Sequence, residues 1–346
     1  MTGEVPYRIV YLHGLIRDAK GQKISKSMPD AEKYDPLNIV ERYGADALRF
    51  TLLTGSTPGN DMKLALERVE ASRNFANKIW NAARFVIGNL GQAFTAGTGT
   101  WNLSAHSLAD QWIISRSNRL IETVTQLIES YQFGEAGRQI HDFLWGEFCD
   151  WYIEIAKIRL YGKDAQAQMA ARQVLVYVLE RTLRLLHPFM PFVTEAIWQQ
   201  LPHEGESIMI APWPKPGWID EKAEADMEMI MEVIRAIRNA RAEYRVEPAR
   251  RIEAIIVAGE HCELLSQQRD ILTTLARLDD EKLQIVESLA EKPRHALALV
   301  VKGVEVYLPL AGMVDLKAEI QRLRAELEAM TASIAPARPC WPIRIS

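Results

Sequence analysis

Residues 133–160 read FGEAGRQIHDFLWGEFCDWYIEIAKIRL, and this stretch decides the fold class. Its apolar residues recur at steps of three and four, from Ile140 through Leu144 and Phe148 to Ile155. Such spacing gives a helix one wide apolar face, which is hidden from water by packing against other helices. The stretch therefore predicts a long helix inside a helical bundle.

The flanking sequence predicts further helices of the same bundle. We expect them at 108–130, 172–186 and 191–201. Asp35-Pro36 is typical of a helix start, with a capping aspartate before a proline at the first helical position. The chain is therefore predicted to be mainly α, with a connecting helical segment at 35–60 and a bundle at 61–210.

The C-terminal part changes in character after the proline-rich stretch APWPKPGW at 211–218, which predicts a stiff linker. A helix from Asp220 to Arg245, then a shorter helix and alternating strands, predict a small α+β unit over 219–311. Lys302-Gly303 is expected to form the turn of a hairpin. Residues 312–334 carry a heptad seam typical of a coiled coil, formed by Leu316, Ile320, Leu323, Leu327 and Met330. Three prolines predict an irregular tail at 335–346.

At the other end, residues 1–34 predict only a strand and a loop, and the loop carries the pentapeptide KISKS. Its candidate ligand groups are the ammonium groups of Lys23 and Lys26 and the hydroxyls of Ser25 and Ser27. Behind the flexible Gly21, these groups are suited to binding a polyphosphate. Taken alone, the same pattern is more often a solvated surface loop.

Composition narrows the class of protein. The 346 residues suggest about two to three domains. A net charge of −4 argues against indiscriminate nucleic-acid binding, so any RNA contact must use local basic faces. Three distant cysteines and the histidines show no spacing for a disulfide framework or a metal site. The sequence shows neither a signal peptide nor a membrane span, and we expect a cytoplasmic protein.

A series of motifs then extends along nearly the whole chain. It comprises DPL at 35–37, YGADALRF at 43–50, NDMK at 60–63, RNFANKIWNAARF at 73–85, LHPFMPF at 186–192 and VEVYLPL at 304–310. This series resembles class I aminoacyl-tRNA synthetases, and the stretch 60–85 resembles valyl-tRNA synthetases in particular. The resemblance implies a remnant of the nucleotide-binding catalytic domain at 1–34, an anticodon-binding bundle, a junction domain at 219–311 and a truncated coiled-coil tRNA-binding arm at 312–334.

The resemblance also implies a function, the ATP-dependent attachment of valine to tRNA-Val, with Mg²⁺ as the counterion of ATP. Lys26, together with Lys23, would stabilise the pyrophosphate leaving group, and Ser25 and Ser27 would add hydrogen bonds. The sequence lacks the family's His-x-Gly-His tetrad. It is therefore expected to be the C-terminal part of a larger enzyme and inactive by itself. Where the family reads Ser-x-Gly-Asn, residues 27–30 read SMPD, and the proline is expected to stiffen the loop.

Two sets of residues are candidates for tRNA contact. The first lies on the helix at 73–85, where one face carries Arg73, Asn77, Asn81 and Arg84. Asn74 and Lys78 lie beside this face, and Phe85 or Trp80 could supply a stacking plane. Without the resemblance, such a face is ordinarily a solvated surface. The second set is the stripe Arg235, Arg238, Arg241 and Arg245. This stripe suits a phosphate backbone, and equally suits intrahelical pairing with Glu232 and Glu243.

Two further functions remain open on the sequence. The chain could be a free-standing tRNA-binding module, or a helical scaffold that recruits protein partners. The intact lysine motif favours the synthetase origin, because a pure binding module has no use for it. Full-length members of the family are expected to be monomeric, whereas the unpaired heptad seam of this chain leaves two alternatives open, self-association or disorder. His187 is expected to cap a helix end rather than to catalyse.

Overall fold

The structure is a computed structural model, and it describes residues 3–25, 27–91, 107–310 and 324–331. The chain divides into two compact units, Met1–Met227 and Glu228–Ser346. The predicted domain boundaries are finer than this division. Of the predicted coiled-coil arm, residues 324–331 are helical, while the rest of its heptad seam and the tail lie outside the described residues.

The first unit is mainly helical. Its α-helices are α1 (Pro36–Tyr43), α2 (Ala45–Gly55), α3 (Leu66–Asn89), α4 (Leu108–Glu129), α5 (Phe133–Asp142), α6 (Ile153–Leu160), α7 (Ala165–Leu186) and α8 (Pro191–Trp198). Two short strands, β1 (Ile16–Arg17) and β2 (Met62–Lys63), form a separate sheet. α9 (Glu221–Glu243) begins in this unit and continues into the second. The prediction of a mainly α chain is confirmed.

The helix starts follow the local sequence. The Asp35 side chain accepts a hydrogen bond from Leu37 N at 2.8 Å, with Pro36 at the first helical position, as predicted. At the start of α4, Ser107 and Asp110 form a capping box, in which each side chain bonds the backbone N–H of the other residue. These bonds satisfy N–H groups that a helix end leaves without partners.

The structure is helical over the whole predicted range 133–160, but the middle of this helix is not α-helical. Between α5 and α6, residues Phe143–Tyr152 form a π-helix, so the backbone bonds reach five residues back. Ile153 N, for example, donates to Phe148 O. The wider turn helps to bury aromatic residues that lie five apart, and Phe143 and Phe148 are both in the core.

The core of the bundle is built from large side chains on several helices. The largest fully buried ones include Trp112, Trp198, Tyr152, Phe75 and Phe148. α2 joins the bundle through its buried Asp46, whose carboxylate accepts the N–H groups of Phe192 and Val193 at the start of α8. The connecting segment is thus held on the bundle by polar as well as apolar contacts.

The proline-rich linker is fixed along its length. Arg184 Nη1 donates to Pro212 O at 2.8 Å, and Trp213 Nε1 donates to Thr125 Oγ1 at 2.9 Å. At its end, Asn118 donates to Trp218 O at 2.9 Å. The linker therefore runs over α4 and α7 as part of the first unit.

The second unit contains a four-stranded sheet in the order β4-β3-β6-β5. Its elements are β3 (Ile252–Val257), α10 (Cys262–Gln267), α11 (Arg269–Leu275), β4 (Leu278–Val286), β5 (Ala296–Val301) and β6 (Val304–Pro309). β3 pairs in parallel with β4, and β6 pairs antiparallel with both β3 and β5. Lys302 and Gly303 join β5 to β6 with positive φ angles, as a tight hairpin turn requires. The predicted small α+β unit is confirmed.

Candidate functional site

The segment that carries the lysine motif starts from the two-stranded sheet. β1 pairs in parallel with β2, with Arg17 opposite Lys63. The chain then turns back, because Lys23 forms an isolated antiparallel bridge with Arg17. The residues that follow β1, 18–27, are called the lysine loop below. The loop therefore starts from Arg17 at the end of β1 and returns to the same residue at Lys23.

Asp18 closes the first half of the lysine loop. Its carboxylate accepts Gln22 N at 2.7 Å, and its backbone N–H donates to Gln22 O at 2.9 Å. Gly21 N donates to Asp18 O, and Gly21 has a φ of 83°, which glycine adopts without strain. Asp18 is buried. The approach to the motif is thus a closed turn rather than a free chain.

The second half of the loop presents its polar groups to solvent. Lys23, Ser25 and Ser27 are all exposed, and the two hydroxyl oxygens lie 3.2 Å apart. Lys26, the fourth predicted ligand, lies outside the described residues. Three of the four predicted groups therefore share one exposed segment.

A further lysine lies beside the loop and was not identified from the sequence as a ligand. A methyl group added to Gly21 would lie 3.5 Å from Lys63 Cε and 4.0 Å from Lys63 Nζ. Lys63 is exposed, and its side chain forms no hydrogen bond or ion pair with another described residue. Its position follows from the pairing of β1 with β2. Strands of two residues carry no periodic signal by which that pairing could have been predicted.

The candidate RNA-binding face on α3 contains five exposed side chains. They are Asn74, Asn77, Trp80, Asn81 and Arg84. Their spacing follows the turns of the helix, so they lie on its outer side. Trp80 is 44% exposed, which leaves its ring accessible for stacking. The face offers amides, a guanidinium and an indole, groups that bind RNA bases and phosphates.

The other α3 candidates are engaged in contacts within the unit. Arg73 is half-buried, bonds Glu70 at 2.9 Å and lies 5.7 Å from the Tyr43 ring centroid. Phe85 is half-buried, and Lys157 Nζ lies 5.4 Å from its ring centroid. Sequence analysis did not identify Lys157, because α6 is far from α3 in the chain.

Lys78 is also engaged. It is half-buried and contacts two residues of the π-helical segment, Asp150 and Trp145. The predicted RNA set on α3 therefore divides into an exposed group and a group with structural contacts.

In the predicted arginine stripe on α9, the first and last arginines differ in their surroundings. Arg235 forms ion pairs with Glu228 at 3.1 Å and with Glu232 at 2.6 Å. Pairing with Glu232 is one of the two alternatives that the sequence left open. Arg245 lies beyond the end of α9, is exposed and has a φ of 50°.

The two central arginines donate to backbone carbonyls. Arg238 Nε donates to Leu275 O at 2.9 Å. Arg241 is only 7% exposed and donates to the carbonyls of Glu247, Arg250 and Arg277. The four arginines therefore do not form one uniform exposed stripe.

His187 and Cys149 have structural environments. His187 is the C-terminal capping residue of α7, as predicted, and its Nδ1 hydrogen-bonds Thr194 Oγ1 at 2.8 Å. Burial lowers the pKa of His187. Burial also raises the pKa of the Cys149 thiol to about 12. Among the described residues, no group of three or more His, Cys, Asp or Glu side chains is placed to hold a metal ion. Nor does this part of the chain contain a helix with the length and apolar character needed to cross a membrane.

Two family models match the chain. The model described as the anticodon-binding domain of tRNA ligase matches residues 110–256. The model described as tRNA synthetases class I (I, L, M and V) matches residues 1–65. The first match begins in α4, includes α5 to α9 and ends in β3, and the second covers β1, the lysine loop, α1, α2 and β2.

Similar proteins were found by sequence and by structure. The valine–tRNA ligase of Halalkalibacterium halodurans is 47% identical over 93% of this chain and 36% of its own length. That of Geobacillus stearothermophilus is 46% identical over 94% of this chain and 37% of its own length. The chain thus spans little more than a third of these relatives. A LeuRS–tRNA–LeuAMS complex from Agrobacterium radiobacter K84 has a TM-score of 0.45 and 22% identity, over 61% of this chain and 24% of that one.

Proposed function

Because this chain belongs to the valine–tRNA ligase family of class I aminoacyl-tRNA synthetases, we propose that it carries the ATP-phosphate loop and the tRNA-binding region of a valine–tRNA ligase. In that enzyme, ATP with Mg²⁺ activates valine, and the valine is transferred to tRNA-Val. The observation that carries the proposal is the exposed face of α3 with Asn77, Asn81 and Arg84, in a chain with these relatives.

The lysine loop serves the first step, the activation of valine by ATP. Attack of the valine carboxylate on the α-phosphate forms the adenylate and releases pyrophosphate, on which negative charge develops. Lys23 and Lys26 place positive charge at this leaving group. The hydroxyls of Ser25 and Ser27, 3.2 Å apart in an exposed segment, add hydrogen bonds to phosphate oxygens. Lys63, beside Gly21, contributes a further positive charge close to the loop.

The residues that follow the loop limit its motion. Ala31 N donates to Met28 O at 3.2 Å, and Lys33 forms an ion pair with Asp30 at 2.8 Å. Asp30 has a φ of 68°, which few residues other than glycine adopt readily. Together with Pro29, this turn supports the proposal that the downstream arm moves less than a glycine-containing arm.

The tRNA-binding region serves recognition. On α3, Asn77 and Asn81 offer amides that pair with the edges of splayed-out bases, and Arg84 offers a charge for a phosphate. Trp80 offers a plane on which a base can stack. The net charge of −4 supports binding through this local face rather than through an overall basic surface.

Binding to a tRNA-Val anticodon stem-loop tests the recognition part. The stem-loop is titrated against one with altered anticodon bases at several salt concentrations. A clear preference for the valine anticodon is expected. Weak binding that ignores the anticodon and falls steeply with salt would instead indicate electrostatic contact alone.

Binding of sodium tripolyphosphate tests the phosphate part. Lys23→Ala should weaken binding about tenfold if the lysine holds a phosphate directly. Lys20→Ala, a change of an exposed lysine in the same loop but outside the motif, is the control. Equal losses in both variants would show that only the total charge of the loop matters.

Adenylate formation tests whether residues 1–346 suffice for catalysis. This sequence contains no His-x-Gly-His tetrad, so we expect no exchange of pyrophosphate into ATP in the presence of valine. Detectable valine-dependent exchange would show that this chain assembles an adenylate-forming site without the tetrad.

A further inference from the structure

Asp61 receives two hydrogen bonds from the strand that enters the lysine loop. Leu15 N donates to Asp61 Oδ1 at 2.8 Å, and Arg17 Nε donates to Asp61 Oδ2. One carboxylate thus binds both Arg17, which is in β1, and Leu15, which immediately precedes β1. Asp61 itself lies immediately before β2, which leads into α3.

Arg17 in turn reaches into the loop. Its Nη1 lies 3.4 Å from Gly21 O, and its backbone bridges Lys23. Its carbonyl accepts the N–H of Leu64, the residue after β2, at 2.8 Å. A single residue therefore contacts the entry to β2, the turn of the loop and the first motif lysine.

The backbone around the junction restricts any shift in the pairing register of β1 with β2. Gly14 lies so close to Asn60 that a Cβ on Gly14 would be 1.9 Å from Asn60 O. Gly59 N donates to Leu12 O at 2.9 Å, and Met62 N donates to Leu15 O at 2.9 Å. The Arg17–Asp61 pair is the side-chain contact that spans this junction.

We propose that Arg17 and Asp61 are positioning residues, which hold the lysine loop in register with β2 and so set where Lys23 meets a polyphosphate. The inference rests on the proposed function of the loop. An exposed ion pair alone contributes little to stability. Here each partner has a second bond, Asp61 to the Leu15 N–H and Arg17 to the Gly21 carbonyl, so the pair fixes geometry as well as charge.

The protonation state agrees with this role. The N–H of Leu15 and the guanidinium of Arg17 lower the pKa of the Asp61 carboxyl. The carboxylate is therefore charged at neutral pH and available to both donors.

The sign of one mutational effect separates positioning from simple electrostatics. Asp61→Asn removes a negative charge near the loop, which by Coulomb attraction alone would strengthen binding of an anion. If Asp61 positions the loop, the same change weakens binding of sodium tripolyphosphate, by about threefold to tenfold. Glu32→Gln is the matched control, because it removes an exposed negative charge just beyond the same loop and leaves the Asp30–Lys33 pair intact. The control should leave binding unchanged or strengthen it.

A double-mutant cycle with Arg17→Gln tests whether the pair acts as a unit. The combined variant should lose no more affinity than the worse single variant, because each single change already breaks the contact. Additive losses, or stronger binding by Asp61→Asn, would overturn the inference.

Hydrogen exchange of the amides at 15–23 gives a readout that needs no ligand. Asp61→Asn should accelerate exchange at Leu15, Gly21 and Gln22, while circular dichroism shows the bundle intact. Unchanged exchange would overturn the inference. Failure of the proposed function is distinguishable, because it appears as tripolyphosphate binding that Lys23→Ala leaves unaltered, whatever the exchange data show.

Discussion

The ammonium nitrogen of Lys78 lies 2.5 Å from Asp150 Oδ1 and 4.1 Å from the ring centroid of Trp145. This contact joins α3 to the π-helical segment. It engages an ammonium group that the sequence analysis made a candidate for tRNA contact. Arg84, six residues further along α3, is exposed, and its side chain forms no hydrogen bond or ion pair with another described residue. Two cations on one helix therefore have different expected functions.

Replacing each cation by glutamine should separate these functions. Arg84→Gln is expected to weaken stem-loop binding and to lower the slope of log K against log[salt] by about one. Lys78→Gln should leave that slope unchanged and lower the free energy of unfolding by about 1 kcal/mol, since it loses an ion pair and a cation–π contact. The measurements are salt titrations of binding and urea unfolding. Equal changes of slope in both variants would contradict the assignment.

Arg241 is expected to support the second unit rather than to bind RNA. It is nearly buried, and its guanidinium lies 2.8 Å from Arg250 O and 3.1 Å from Glu247 O. Arg241→Met leaves these carbonyls without their donor and should lower the free energy of unfolding by about 2–4 kcal/mol. Arg245→Met, at an exposed position, is the control and should cost far less. Urea unfolding of both variants measures the difference, and similar losses would argue against a structural role for Arg241.

The sequence predicted most of the helices, and local chemistry explains why. Apolar periodicity and end signals such as Asp35-Pro36 act within a few residues, so they can be read without knowing the fold. The helix of the first unit from Leu108 to Glu129 and the hairpin turn at Lys302-Gly303 were found in this way.

What the sequence could not predict depends on distant contacts. The burial of Arg241 arises because carbonyls from two separate segments, Glu247 and Arg250 in one and Arg277 in the other, converge on it. The position of Lys63 beside Gly21 arises from two strands of two residues each. The π-helix at 143–152 has the same apolar residues as an α-helix, and only packing selects the wider turn. Charge patterns on α3 and α9 likewise could not distinguish an exposed cation from one held by its own fold.

His187 should make stability depend on pH below neutrality. Burial lowers its pKa in the folded protein from the ordinary value of 6.5, so the unfolded chain takes up the proton first. The free energy of unfolding should therefore fall as the pH drops below about 6.5, and this loss continues until the folded-state pKa is reached. The measurement is urea unfolding of the unaltered chain and of His187→Gln at pH 7 and pH 5.

The comparison isolates the histidine from other acid-sensitive groups. Glutamine can keep a hydrogen bond to Thr194 but does not titrate in this range. The drop in stability between the two pH values should be smaller in His187→Gln than in the unaltered chain. An equal drop would mean that other groups account for the acid sensitivity.

Inside the bundle, a buried ionic network makes the first unit sensitive to the loss of a single charge. Asp110 is fully buried and accepts the hydroxyl of Tyr152 at 2.6 Å, both terminal nitrogens of Arg159 and the N–H of Ser107. Asp110→Asn leaves the Arg159 guanidinium largely buried without its counter-charge, which should cost about 3–5 kcal/mol. Tyr152→Phe removes one neutral donor and keeps the ion pair, so it should cost only about 1 kcal/mol.

Removing both charges tests why Asp110→Asn lowers the free energy of unfolding. The loss could come from the buried, unpaired Arg159 guanidinium or from the lost attraction between the two ions. The double variant Asp110→Leu/Arg159→Met has neither ion, and apolar side chains occupy the space. Replacing a buried pair in this way is often neutral or stabilising, whereas breaking it is not. We therefore expect the double variant to be more stable than Asp110→Asn in urea unfolding. If it is less stable, the network contributes net attraction, and the ion pair itself holds α4 against α6.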